Sequence, residues 1–367
     1  MWSCQRDHAP HFQRVMVACS AIREGEKVGT QKLKAQQWFT HPVGMAVSAT
    51  LATLLWGSAM PAIKIGYEAL GIGSAAIYEQ WVFAGYRFTL AGLLLVLFAA
   101  VVDRSSNAID ATGGAAKSGR SLSIWALRGN IGWRVTRLAA VQTFLQYIFF
   151  YIGLSLSTGM KGAIITGATS LFQMVIARMI DRSETFTPAK TFGLTLGFAG
   201  VAIVTLNQGG LTMSLNIGDL CLLVSALFGA CGNVLARHEA RQLPVLWLTG
   251  RQMLLGGIGL TVIGAWKAGI APFQWDAATI GLLTYLAFLS AAGFSLWNLV
   301  MKYNRVSTVS MFLFLIPVFG VLLSAWLLDE VWNVWTFVAL FLVVAGIVVV
   351  NRASVVRTVN KDSRAAS

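Results

Sequence analysis

The sequence predicts an all-α polytopic membrane protein of ten transmembrane helices, arranged as two inverted five-helix repeats. Three observations carry this prediction: long apolar runs, basic residues gathered in alternate loops, and an internal repeat with an odd number of spans. Hydrophobic residues make up 56% of the 367 and charged residues only 12%, about half the ~25% charged share of soluble domains. A span needs about 20 mostly apolar residues to cross roughly 30 Å of hydrocarbon. Continuous runs of this length disfavour a β-barrel, whose short strands alternate apolar and polar residues.

The apolar runs fall at about 45–66, 81–102, 138–157, 161–180 and 188–206, and again at about 216–236, 244–266, 278–301, 307–328 and 334–351. The chain thus divides into a basic cytosolic segment over 1–44, a first repeat over 45–207, a second over 216–351 and a cytosolic tail over 352–367. The N-terminal segment carries Arg14, Arg23, Lys27, Lys32 and Lys34, has no compact apolar signal region, and is expected to be disordered. The cytosolic loop 103–137 reads as flexible chain in its first half. Its second half interleaves Ile124, Trp125, Leu127, Ile131, Trp133 and Val135 with Arg128, Arg134 and Arg137, as either a basic helix lying on headgroups or an exposed loop.

The net charge of +13 does not point to nucleic acid, because the 28 Lys and Arg residues alternate by membrane side. Apart from Lys161 and Lys267 on one side and Lys64, Arg87 and Arg251 within runs, all fall on the side of both termini. Positive charge is retained in the cytoplasm, so both termini are expected inside, in a plasma (inner) membrane. Cys4, Cys19, Cys221 and Cys231 lack metal or disulfide spacing, and His8, His11, His41 and His238 lie outside the runs. No catalytic constellation, metal or cofactor is expected.

A shift of 146 residues pairs Glu184 with Glu330, Leu194 with Leu340, Ala199 with Ala345 and Gly200 with Gly346; a shift of 164 pairs Arg87 with Arg251 and Gly92 with Gly256. Five spans per copy force the second copy into the membrane from the opposite side. This inverted design suits alternating access around a midplane site.

On Leu55-Trp56-Gly57-Ser58, Tyr86-Arg87-Phe88, the stretch from Pro317 to Glu330 and the last run with Gly346, the chain resembles the drug/metabolite transporter superfamily, specifically its ten-span EamA-type members. The resemblance covers about 45–351 and implies two inverted five-helix repeats that move small organic metabolites, often outward. The copies differ: Leu171-Phe172-Gln173 stands where the second repeat has Ile316-Pro317-Val318.

Arg87 and Arg251 sit about six and seven residues into their spans, roughly 10 Å deep. A charge there is costly and suggests a substrate or gate role, against snorkelling to a helix end. Thr166, Thr169, Ser170 and Gln173 share one helix face, as do Gln142 and Gln146, with Thr143, Tyr147 and Tyr151 adjacent. Both faces read as cavity lining or as interhelical hydrogen bonding. Trp56, Asn233, Asn298 and Tyr285 are further lining candidates, and Pro61 and Pro317 are hinge candidates. Gly193 and Gly197 allow close helix contact, within the fold or in a homodimer. Acidic residues lie near span ends, so a coupling ion or counter-substrate is left open. The reading is a secondary transporter of a small-molecule metabolite in the lipid bilayer; the alternative is a receptor or scaffold that transports nothing.

Overall fold

A computed structural model describes residues 33–112, 130–156, 159–181, 187–206 and 217–327, with part of 334–349. Its elements are α1 (Pro42–Ala69), α2 (Ile77–Thr112), α3 (Asn130–Leu156), α4 (Gly159–Ile180), α5 (Pro188–Leu206), α6 (Ile217–Ala240), α7 (Val245–Ala268) and α8 (Ala277–Tyr303). A ninth, α9, runs as an α-turn over Val306–Val309, a 3-10 stretch over Ser310–Phe314 and an α-helix over Leu315–Leu327. Among the described residues, seven helices are long and apolar enough to cross a membrane: α1, α2, α3, α6, α7, α8 and α9. The expected spans at 161–180 and 188–206 also form helices, and 334–351 is described only in part.

Helix ends depart from the hydropathy reading where the chain leaves the apolar zone. Residues 33–40 are helical, and α1 starts at Pro42 with His41 Nδ1 accepting the Val43 N–H at 3.3 Å, so the segment expected to be disordered folds from residue 33 onward. The loop expected from 103 begins as ten more residues of α2, and Gly113-Gly114 are the first helix-weakening residues in that direction. From Asn130 the loop's second half is already the start of α3, which displaces the separate headgroup helix; residues 124–129 lie outside the described residues.

Glycines decide how closely the helices approach. A Cβ on Gly85 would lie 2.6 Å from Thr261 N, one on Gly92 would lie 2.5 Å from Leu254 N, and one on Gly264 would lie 2.8 Å from Val82 N. Gly257 is as tight, with Phe88 C 2.8 Å away. Rising numbers on α2 meet falling numbers on α7, so the two helices run antiparallel with their backbones nearly touching. Gly57 does the same for α1 against α9: its Cβ would fall 2.6 Å from Phe319 Cβ and 3.0 Å from Gly320 N. Gly193 and Gly197 are covered by this chain's own Gly346 and Phe314.

Two apolar cores result. One joins Ile63, Phe83, Phe88, Tyr151, Leu260, Leu286 and Phe294 from α1, α2, α3, α7 and α8. The other joins Ala49, Met174, Trp297, Met301, Phe312 and Phe314 from α1, α4, α8 and α9. Apolar side chains such as Leu97, Phe98, Val262, Trp266 and Phe288 point outward, as a hydrocarbon solvent requires.

Pro317 cannot bond the Leu313 carbonyl, and the chain just ahead of it tightens into the 3-10 stretch. Pro61 leaves α1 unbroken. At the start of α8, Asp276 accepts the Thr279 N–H at 2.7 Å, and the Thr279 hydroxyl and that N–H hold its carboxyl below the usual aspartate range.

Two predictions follow from these contacts. Gly257→Ala lowers the melting temperature in detergent, because its Cβ meets α2 backbone, whereas Gly281→Ala, with nothing within 4 Å, leaves it unchanged or raises it slightly; equal melting of the two would refute the tight α2–α7 contact. The depressed carboxyl of Asp276 stabilises the fold above its unfolded pKa and loses that effect as pH falls through the folded one. Asp276→Ala should therefore melt earlier than the parent at neutral pH, with the gap closing in acid.

Candidate functional site

Arg87 lies ten residues into α2 because the helix starts at Ile77, about 15 Å along it at 1.5 Å per residue. That is deeper than the sequence spacing suggests. The side chain is 2% exposed, and Nε donates to Ser290 Oγ on α8 at 2.7 Å. The Ser290 O–H donates to the Leu286 carbonyl at 2.7 Å, so its oxygen serves as a fixed acceptor. The guanidinium carbon is 5.0 Å from the Phe88 ring centre. Tyr67, Tyr147 and Tyr151 are close enough to feel its charge. No described carboxylate forms an ion pair with it.

Aromatic rings form a continuous series through this region. Trp297 contacts Trp56 at 5.5 Å, Trp56 contacts Phe294 at 5.0 Å, Phe294 contacts Phe88 at 6.5 Å and Phe88 contacts Tyr147 at 4.3 Å. The series continues through Tyr151, Tyr67 and Phe83 to Phe273. Along it, Trp56 Nε1, Trp297 Nε1 and the Tyr67 hydroxyl are buried without a hydrogen-bond partner, as is Gln146 Oε1, one residue before Tyr147, and the Tyr151 hydroxyl is turned toward Arg87. Buried polar atoms are paired in about nine cases of ten, so these atoms have bonding capacity left over, as do Gln142 Oε1, Gln252 Nε2 and Asn298 Oδ1 elsewhere in the bundle.

Most of the predicted amides are taken up differently. Gln142 Nε2 donates to Asn233 Oδ1 at 2.9 Å, Asn233 Nδ2 to Gln173 Oε1 at 2.7 Å and Gln173 Nε2 to Ser310 Oγ at 2.7 Å, which ties α3, α6, α4 and α9 together. Ser170 Oγ donates to the Ser310 carbonyl at 2.7 Å, Thr169 is buried beside it and Thr166 lies half-buried one turn away. Gln142 and Thr143 belong to a π-helical stretch over Ala140–Leu145. Gln142 and Gln146 meet α6 at Gly232 and Gly229, whereas Thr143 turns to Gln252 of α7 at 2.6 Å and Tyr147 to α2. Asn298 donates to Thr249 at 2.9 Å, and Tyr285 pairs with Ser58 at 2.7 Å. Arg251 stacks on Trp247 of its own helix, 3.9 Å from the ring centre, and donates to the Trp247 carbonyl at 3.2 Å.

The end of the bundle that carries the basic residues is tied by charge. Glu239, 1% exposed, accepts from Arg134 Nε at 2.5 Å and Arg137 Nη2 at 3.0 Å, joining α6 to α3. Arg237 approaches Asp181 at 4.0 Å and donates to the Met301 carbonyl at 3.2 Å, and Lys190 donates to Ser307. Glu239 went unnoticed in the sequence, although a single acid among Arg237, His238 and Arg241 was a visible signal. Ser290 and Tyr67 carried no such mark.

Comparisons with known proteins agree with a transporter. The chain is 27% identical over 318 residues to the "Uncharacterized transporter YvbV" of Bacillus subtilis (strain 168), covering 84% of this chain and 92% of that one. It is 24% identical over 305 residues to an "Uncharacterized transporter" of Archaeoglobus fulgidus, covering 81% and 93%. A solved crystal structure superposes with a TM-score of 0.64 over 83% of this chain and 94% of its own, at 17% identity, a likeness of fold. These relatives are named as transporters, and the chain is a membrane protein that transports and does not catalyse. The EamA-like transporter family model matches residues 44–206 and 216–352, and the chain belongs to that family.

Proposed function

We propose that the chain is a secondary transporter that exports a small organic metabolite by alternating access. Ten spans form two inverted five-helix repeats in the plasma membrane, with both termini cytosolic. The observation that carries this reading is the ring series around Arg87, with its unpartnered polar atoms midway along the bundle, set apart from a basic end tied by ion pairs.

Alternating access needs a solute site between two closures that are never open together. On this reading Glu239 with Arg134 and Arg137, together with Arg237 and Lys190, forms the cytosolic closure. The bonds at its rim are weak enough to break and remake, since partly exposed ion pairs contribute about 1 kcal/mol or less. The 3-10 stretch ahead of Pro317, and Pro61 with the Gly57 contact, are where α9 and α1 would flex. Described acids stand at helix ends, including Glu79, Asp219 and Asp276, so a mid-membrane proton acceptor is not part of the reading and exchange against a counter-substrate fits it better.

Proteoliposomes holding the purified protein, offered a mixed metabolite pool and read by mass spectrometry, should accumulate a narrow set of solutes, and an Arg87→Ala, Gln173→Ala double variant should lose that accumulation. Background uptake by folded protein across the whole pool would favour a receptor or scaffold. Glu239→Gln should loosen the basic end by roughly 1–3 kcal/mol, discounted because Arg137 is 45% exposed. Hydrogen exchange should then rise several-fold at 134–137 and 235–242 alone, and unchanged exchange there would remove the ion pairs from the closure.

A further inference from the structure

We propose that the site around Arg87 takes an organic monocarboxylate with a flat apolar body. The inference rests on the transporter reading above and names the class of solute that this site would carry.

A cation at membrane depth is tolerated when it is paired or wetted. Arg87 is 2% exposed, and among the described residues it meets neutral groups, the Ser290 hydroxyl, the Phe88 ring and the Tyr151 hydroxyl. No described carboxylate supplies the counter-charge. A bound anion would supply it, and a guanidinium fork fits a planar carboxylate through two parallel N–H bonds. Ser290 holds the fork by Nε and is itself fixed by the Leu286 carbonyl, so the guanidinium is positioned before any solute arrives.

The hydroxyls of Tyr67 and Tyr151 extend the argument. Both are buried; the Tyr67 hydroxyl has no hydrogen-bond partner, and the Tyr151 hydroxyl is turned toward the guanidinium, which leaves its own proton free to donate. Each can donate to a carboxylate oxygen, which has lone pairs left after the arginine is satisfied. A single charge is favoured because the other cations of the neighbouring helix ends are directed elsewhere: Lys64 is exposed and Lys267 lies over the Tyr78 ring at 5.0 Å. The walls set the rest of the solute. Phe88, Tyr147, Phe294 and Trp56 pack on one another in this state; rings that part to admit a solute would offer faces and edges suited to a flat apolar group, and the unpartnered Trp56 Nε1 one donor at the far end.

The test uses radiolabelled phenylacetate on the full-length protein in nanodiscs, with phenylacetamide and phenethylamine as neutral and cationic competitors of like shape. Saturable phenylacetate binding is expected, displaced by unlabelled phenylacetate but not by the amide or the amine. Arg87→Gln should weaken it by about tenfold or more, and Tyr151→Phe, which keeps the ring, by about threefold. No saturable binding, equal displacement by amide or amine, or undiminished binding to folded Arg87→Gln would each overturn the proposal; if Arg87→Gln does not fold, Tyr151→Phe with parental affinity does so. The two readings fail separately. Uptake of a non-acidic solute that survives Arg87→Gln removes the carboxylate and keeps the transporter, whereas carboxylate binding without movement of any solute removes the transport mechanism and keeps the site.

Discussion

The backbone contact between α2 and α7 is the constraint on which the other helices depend. In hydrocarbon the packing of two helices gains no hydrophobic driving force, so it relies on close van der Waals approach, which small residues permit. Gly85 and Gly92 face α7, while Gly257 and Gly264 face α2, and none leaves room for a methyl group. This seam holds the Arg87 segment of α2 in place. It also leaves the opposite flank of α2 free to meet α8 through Ser290 and α3 through Tyr147.

Around that seam the buried polar residues divide their work. The amides of Gln142, Asn233 and Gln173 bond one another and fasten helices from both halves of the chain. The charges at the basic end fasten the same helices where water can reach them. Arg251, the sequence counterpart of Arg87, stacks on Trp247 of its own helix and donates to that residue's carbonyl. Arg87 meets neutral groups of other residues, the Ser290 and Tyr151 hydroxyls and the Phe88 ring. Two arginines at corresponding places thus meet different surroundings, because the helices packed on them differ.

Much of the fold was legible because hydropathy reports the membrane directly: each described long helix matches an apolar run of the sequence. Hydropathy does not report where a helix ends in water, which is why α2 runs on to Thr112 and α3 starts at Asn130. Arg87 stood out by rarity alone. Ser290, Tyr67 and Phe294 could not, since their meaning comes from a meeting of α8, α1 and α2 that no local pattern encodes. Gly250, Gly257 and Gly264, spaced by sevens, were a readable sign of a helix seam. The spacing of the polar stripe of α4 speaks for one face, but whether such a face meets a solute or a neighbour depends on Asn233 and Ser310 across the interface.

The amide series from Gln142 to Ser310 has a direction. Each member donates to the next, and Ser310 ends the run by donating to the Val306 carbonyl at 2.7 Å. A side-chain amide presents a donor at one corner and an acceptor at the other, so turning one over sets donor against donor at its neighbour unless that one turns too. Gln142, Asn233 and Gln173 therefore behave as a row of coupled toggles with two consistent settings. A change of setting begun at the π-helical stretch of α3 would arrive at the 3-10 stretch of α9 by rotation of side chains alone, with the backbones between them standing still.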